Sequence, residues 1–501
     1  MGEAALRHEA HGSSGGRAYE RHRPEETVLH RTVARHFPAF LERAEEHGGL
    51  PQFVVREVEE YLRCGLLEHG CVRVACSSCS FERLVAFSCK RRGFCPSCLG
   101  RRMAELAVHL EEKVFPEAPV RQWVCSMPWS IRAVLGYHRT LCADVVSAFI
   151  TEVSRSLKHR AKRELGLASV SLAHTGAVAV VQRADSALRL NVHVHALALD
   201  GVYVREGPRG PLVFHALPAP SRDEVEEVAA RTARRVAKVF GKHGRSLETP
   251  TEDDPLPDDE PALASCYAAA AGGLAVSGER AGRPLLRLVD PRLSRPDELV
   301  GEVSGFNVHA TISVGPRDRA RLERLCRYLL RPPIAQERLE LHPSGKLRYS
   351  LKKPWSDGSV AVLLEPEDLL SRLCALIPPP RLHMLRYFGV LSSHAARRRE
   401  VVPSASTETA TGCGKQLALF QKESLDDDVR TRRKPWAWLL RHVFQVDMTT
   451  CPACGRAMRL LETATTPEAV ARLLAKHGLG PRPPPLPPAP TVQMVFAFMK
   501  R

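Results

Sequence analysis

Apolar positions along this chain recur with two periods, one helical and one strand-like. From Pro51, a good first-turn residue, Phe53, Val54, Val58, Tyr61 and Leu62 return to one side at helical spacing. "RRMAELAVHLEEKVF" and "HRTLCADVVSAFITEVSRSLKHRAKREL" read as helices in the same way. "SRDEVEEVAARTARRVAKVF" adds a start signal, because Ser221 and Glu224 can cap each other's backbone. Alternation takes over in "VRQWVCSM", a strand ended by Pro128, and in "TGAVAVVQ" and "LRLNVHVHALAL". The short "RADSA" between the last two predicts a hairpin. "GFNVHATISV" is a further strand, feeding a helix that begins after Pro316.

Between these elements the pattern breaks. Residues 1–24 are rich in His, Gly and Arg and are expected to be disordered. "TEDDPLPDDEPA", around 250–262, is acidic and broken by proline, so it is expected to be a solvated loop. Residues 401–434 read as a linker and 435–480 as a small C-terminal domain. The tail, 481–501, contains "PRPPPLPPAP", a polyproline II segment. There is no internal repeat.

One strand carries unusual cargo. In "LNVHVHALALDGVY" the even positions Leu190, Val192, Val194, Ala196 and Ala198 fill an apolar face, so His193 and His195 share the other, more polar one. Their side chains project in parallel, about 7 Å apart along the strand. That suits two ligands on one metal ion, and it equally suits two solvated surface histidines. In "RDRARLERLCRYLLRPP" the apolar stripe is Leu322, Leu325, Cys326 and Leu329. Tyr328 falls outside it, among Arg317, Arg321, Arg324 and Arg331. A phenol among guanidiniums suits a phosphodiester, whose oxygens the arginines would hold in a fork; a boundary tyrosine beside surface arginines is the plainer reading. Taken together, two imidazoles holding Mg²⁺ or Mn²⁺ and an attacking tyrosine would make a covalent phosphotyrosine. No Walker loop is present, so no nucleotide fuel is implied.

Composition narrows the partner. The 501 residues carry 72 Lys+Arg against 56 Asp+Glu, a formal charge of +16. That balance points to a polyanion, nucleic acid before an anionic membrane. No signal-peptide core and no apolar run of bilayer length stands out, so the protein is expected to be cytoplasmic. Its 15 cysteines should then be reduced, and clusters of them suggest metal. Cys76-x2-Cys79 and Cys95-x2-Cys98, fifteen residues apart, have the spacing of a tetrahedral zinc site. Cys64, Cys71 and Cys89 lie nearby and leave room for ligand exchange or a second ion. Arg91 and Arg92 make the module a candidate grip on DNA phosphates, alongside a purely structural role. Cys451-x2-Cys454 is a possible second metal site whose conceivable partners are Cys413 and His477.

Several blocks go further than spacing. "CGLLEHGCVRVACSSC", "FSCKRRGFCPSC", "RQWVCSMP", "LNVHVHALALDGVY", "RLERLCRYLLRPPIAQERL", "LKKPWSDGS" and "RYFGVL" resemble, in order from about residue 30 to 480, the HUH-type rolling-circle transposases of the insertion sequence 91 and common-region group. The resemblance implies an α+β fold: an antiparallel, palm-like (ferredoxin-like) sheet with helices on one face, preceded by helices and a zinc module. It divides the chain into a helical, zinc-binding domain at 25–115 and a catalytic domain at 116–400. It implies nicking and rejoining of single-stranded DNA at element ends, with transfer to target DNA, in a bacterial, nucleoid-associated setting. His193 and His195 would hold the catalytic Mg²⁺ or Mn²⁺ and Tyr328 would be the nucleophile, leaving a 5′-phosphotyrosine and a free 3′-OH. Cys76, Cys79, Cys95 and Cys98 would hold Zn²⁺, and Arg321, Arg324, Arg331, Arg91 and Arg92 would meet phosphates.

The third catalytic ligand is left open among Gln182, His309 and Asp357, the last of which also reads as a turn residue. The chain departs from the group in two places. Arg324 and Pro332 stand four residues either side of Tyr328, so it resembles the single-tyrosine members. Phe388 stands where members often have histidine. A plasmid or phage replication initiator or relaxase shares the chemistry and is one alternative. A catalytically inactive zinc-containing DNA-binding protein, suggested by Phe388, is the other.

Overall fold

A computed structural model describes residues 17–18, 21–207, 209–249, 254–293, 302–403, 437, 441 and 446–480. The chain divides into two compact units. The larger takes residues 24–64 and 88–407 with 483–501. The smaller takes residues 1–23, 65–87 and 408–482. Residues 25–115, expected to form one domain, are therefore shared between the two. The expected linker at 401–434 and tail at 481–501 lie almost wholly outside the described residues. So do residues 1–24 in most part, although Arg17–Ala18 pair in parallel with Val446–Asp447.

In the larger unit the helices, in chain order, are α1 (Val28–Glu45), α2 (Gln52–Arg63), α3 (Pro96–Lys113), α4 (Trp129–Tyr137), α5 (Arg139–Leu165), α6 (Arg222–Lys242), α7 (Pro261–Gly272), α8 (Arg319–Leu330) and α9 (Pro366–Leu376). The main sheet is built on β1 (Val120–Ser126), β2 (Gly176–Ala184), β3 (Leu190–Leu199), β4 (Phe306–His309) and β5 (Leu385–Gly389). Its order is β4-β1-β3-β2-β5, antiparallel throughout, with Glu302–Val303 beyond β4 and Ser313–Val314 also on β1. The expected β2–β3 hairpin is present, and the Ser221/Glu224 capping box closes reciprocally at the start of α6.

β3 is the central strand, so both of its faces must be covered. One face, with Val192, Val194, Ala196 and Ala198, joins Trp123, Ala177 and Ala179 against α4, α5 and α7. The other turns apolar beyond the histidines: Leu197 and Leu199 join Val178 and Val180 beneath Ala107 and Leu110 of α3 and Leu322, Cys326 and Leu329 of α8. Helices therefore lie on both faces rather than on one. The reason is local. The polar face of β3 lasts only from Asn191 to His195, and each fully buried Leu or Val beyond it contributes roughly 1.5–3 kcal/mol. Arg121 and Asp200, both buried, pair at 2.7 Å and fix the end of β1 against the close of β3.

Residues 250–253 lie outside the described residues, and from 254 to 262 the segment is more ordered than a solvated loop. Asp254 is buried and faces Arg245 at 3.4 Å, a short helix spans Leu256–Asp259, and α7 begins at Pro261. Proline at the first turn of a helix starts it rather than breaks it.

In the smaller unit, Cys71–Cys76 is the middle strand of an antiparallel sheet, flanked by Glu82–Ala86 and Met458–Ala464. The helix Pro467–Lys476 covers it through Val470, Leu473 and Leu474, which pack on Leu67, Cys71, Leu84 and Ala464. Gly70 turns the chain into this sheet at φ +116°, where an added Cβ would meet the Phe87 ring at 2.4 Å.

Candidate active site and cysteine clusters

The rungs of the sheet place the two histidines. His193 lies between Ser126 and Gln182; His195 lies between Val124 and Val180, with His309 one strand further out beside Val124. The imidazole centroids are 5.0 Å apart, closer than the strand rise alone would set them. The Nδ1 atom of His193 lies 2.8 Å from the Asn191 carbonyl, which can only accept. Nδ1 is therefore the protonated atom and Nε2 keeps its lone pair. Nε2 of the Gln122 carboxamide, on the neighbouring strand, lies 2.8 Å from Nδ1 of His195, while Gln122 Oε1 is buried without a partner. Turning the amide so that Oε1 accepts from Nδ1–H gives His195 the same tautomer as His193.

Both rings are held neutral. Burial is the main cause for His195, whose pKa falls to about 3, with the charges of His193, Arg331 and His309 adding to it. His193 is lowered chiefly by burial too, with Arg132 and Arg331 contributing. Neutral imidazoles are the protonation state in which histidine binds a divalent metal.

The tyrosine helix comes to the same face. Leu322, Cys326 and Leu329 are buried and Leu325 partly so, as its periodicity implies; Arg321, Arg324, Tyr328 and Arg331 are exposed. Tyr328 is 40% exposed, the most open large hydrophobic side chain of the helix. The Arg331 guanidinium and the Lys352 ammonium each lie 4.3 Å from the Tyr328 ring centre. Gln182 joins the two parts: it is the cross-strand neighbour of His193, and its Nε2 donates to the Leu329 carbonyl at 2.7 Å. Tyr328, Gln182, Arg92, Arg102, Arg338 and His383 line a cleft of about 790 Å³.

The other sequence candidates separate. Among the described residues, no third His, Cys, Asp or Glu brings a donor atom within 4.8 Å of both histidines; His309 is near enough to act electrostatically on His195, and Gln182 is the cross-strand neighbour of His193. Asp357 is a turn residue: its carboxylate accepts from Ser359 N at 2.9 Å and pairs with Arg287 at 2.5 Å. Arg91 pairs with Glu60 at 3.6 Å. Phe388 is opposite Ala177, so it packs with the other core while Leu385 and Tyr387 share the histidine side. Strand parity thus keeps any side chain at 388 away from His193 and His195.

One aromatic feature escaped the sequence reading. Trp129, 48% exposed, has Arg132 at 3.5 Å and Arg189 at 4.7 Å from its ring, and Arg189 is also 4.7 Å from the Trp355 ring. Nothing in the spacing of Trp129 and Trp355, far apart along the chain, announces this layer.

The cysteines form two groups, and neither is the one that their spacing suggested. Cys64, Cys89, Cys95 and Cys98 come together in the larger unit; Cys76, Cys79, Cys451 and Cys454 come together in the smaller. In the first group the sulfurs are 3.3–3.7 Å apart where they touch, and backbone N–H groups of Cys89 and Lys90 donate to Cys64 and Cys98. Cys64 ends α2, while Cys95 and Cys98 open α3. The regular spacing of two Cys-x2-Cys pairs reports two knuckles, but the fold gives each pair different partners. Cys71 is buried in the core of the smaller unit and belongs to neither group. His477 faces Glu82 at 3.5 Å, and Cys413 lies outside the described residues.

Residues 176–399 match the family model described as "Putative transposase", and residues 32–127 match the one described as "Transposase zinc-binding domain" of insertion sequence 91. No curated protein and no solved structure matches the chain. The first match takes in the histidine strand and the tyrosine helix; the second takes in all four residues of the first cysteine group. A transposase segment and a zinc-binding segment of this kind define a transposase, a protein that acts on DNA. The chain belongs to the insertion sequence 91 family.

Proposed function

We propose that this transposase nicks and rejoins single-stranded DNA at the ends of its element, through a covalent bond to Tyr328. Gln182 carries the reading: one side chain adjoins His193 across the strand pair and is hydrogen-bonded to the residue after Tyr328. The antiparallel order of the sheet, with the imidazoles on its central strand, supports a palm-like HUH arrangement. The donor set fits Mg²⁺ or Mn²⁺, with His193 and His195 offering Nε2 and Gln182 an amide oxygen. When bound, the ion would polarise the scissile phosphate.

The chain's own residues supply the rest. Arg321, Arg324 and Arg331 hold phosphate oxygens, and Lys352 adds positive charge beside the phenol. The Tyr328 oxygen attacks phosphorus and its proton passes to solvent. The Tyr–O–P bond forms as the P–O3′ bond breaks, and the released 3′ oxygen takes up a proton. A 3′-OH attacking the phosphotyrosine runs the step backwards and frees the tyrosine, so no nucleotide need be hydrolysed. The cleft and the Trp129–Arg189–Trp355 layer offer single-stranded bases a stacking surface, which paired bases would not meet. The bacterial nucleoid is the expected place of action; among the described residues no helix is long and apolar enough to cross a membrane.

The test is incubation of the protein with a labelled single-stranded element end and Mn²⁺. The expected product is a covalent adduct that Tyr328→Phe abolishes while DNA binding persists. An adduct that survives in Tyr328→Phe would overturn the nucleophile. Binding by the wild type with no adduct would favour a protein that only binds DNA.

A further inference from the structure

We propose that Cys76, Cys79, Cys451 and Cys454 hold a zinc ion of their own, so that the chain carries two structural zincs and the second closes the smaller unit. Neither matched span contains Cys451 or Cys454, so the site reaches beyond both. All four ligand sulfurs lie within 4.8 Å of one another. The contacts run across the two knuckles: Cys76 to Cys454 at 3.3 Å and Cys79 to Cys451 at 3.7 Å. Zn–S bonds of about 2.3 Å in a tetrahedron set sulfurs about 3.8 Å apart, whereas a disulfide holds them at about 2.05 Å. The observed spacing is that of ligands around an ion.

The backbone adds an independent observation. The N–H of Cys76 donates to the Phe81 carbonyl at 2.9 Å, closing the loop "CSSCSF". The N–H of Cys451 donates to the Arg456 carbonyl at 2.7 Å, closing "CPACGR". Two segments with different sequences thus make the same six-residue turn with cysteines at its first and fourth positions. Each turn presents two sulfurs to the same side. The Ser78 N–H donates to the Cys76 sulfur at 3.3 Å, the kind of contact that steadies a thiolate. The loops are also held face to face: Met458 pairs with Cys76 in the sheet, and the Ser77 N–H donates to the Ala457 carbonyl at 3.0 Å.

Packing alone would leave this end of the unit weak. The core beneath the knuckles is Val74, Cys451 and Met458. A small unit with so little core at one end ordinarily gains its stability there from a metal or a disulfide. A shared ion would tie the C-terminal strand Met458–Ala464 to the central strand Cys71–Cys76 from one end.

The experiment counts metal in the full-length protein purified under reducing conditions. Two zinc ions per chain are expected. Cys451→Ser with Cys454→Ser should leave one, and limited proteolysis should then cut within 446–480 while the larger unit survives. Cys451→His, which keeps a donor at the same position, should restore the second ion. One zinc in the wild type, or two retained in the serine variant, would overturn the proposal. So would a mass deficit showing disulfides between the knuckles in the freshly purified, reduced protein.

Discussion

A side chain on another strand meets the Nδ1 end of the His195 ring. With the Gln122 amide turned so that Oε1 accepts from Nδ1–H, the free Nε2 lone pair is set by a residue more than seventy positions away. Such outer partners typically change metal affinity by about 10–100-fold when removed. Gln122→Leu should raise the Mn²⁺ concentration needed for half-maximal cleavage by that factor, and Gln122→Glu, which can still accept from Nδ1–H, should recover most of the loss. An unchanged Mn²⁺ requirement in the leucine variant would show that Gln122 does not orient the ring. The faces of His193 and His195 were legible in the sequence, because strand parity needs nothing but the alternation around them. Gln122 was not, because its value depends on which strand lies beside β3 and in what register. Phe388 shows the same limit from the other side: only the pairing of β5 with β2 reveals that it looks away.

At the level of elements, the tyrosine helix is a reaction part only if it is held at a fixed height. Arg319 does this: its guanidinium pairs with Glu111 of α3 at 2.7 Å and donates to the carbonyls of Phe115 and Pro116. A displacement of about 1 Å at a reacting group can cost on the order of 100-fold in rate. Arg319→Ala should therefore slow adduct formation by roughly ten- to a hundredfold with DNA affinity within about twofold. Arg327→Ala is the control, since among the described residues Arg327 bonds to Glu323 on its own helix, and it should leave the rate unchanged. Equal effects from both would refute the anchoring role. The helix itself and its apolar stripe could be read directly from periodicity. Its cover over the histidine face could not, because Leu197 and Leu199 follow two histidines that make the whole face look polar.

Across the molecule, charge and chain order matter more than any single contact. A formal +16 suits a polyanionic substrate. If about five phosphates are neutralised, the single-strand slope of about −0.7 each implies that raising salt from about 50 to 200 mM weakens binding by about 100-fold. A titration across that range checks it, and a flat response would mean that stacking, not charge, holds the strand. Domain order was the least legible property. The Cys-x2-Cys pairs are visible by eye, but the partners of Cys76 and Cys79 are set by strand pairing between residues 71–76 and 458–464, which no local pattern encodes.

That pairing also has a timetable. At about 5–20 residues per second of synthesis, the strand around Cys71 leaves the ribosome some 20–75 seconds before its C-terminal neighbour exists. During that interval an unpaired strand edge and two thiols stand open in the nascent chain. A chain that stopped short of residue 458 would keep that edge open to pairing with another chain.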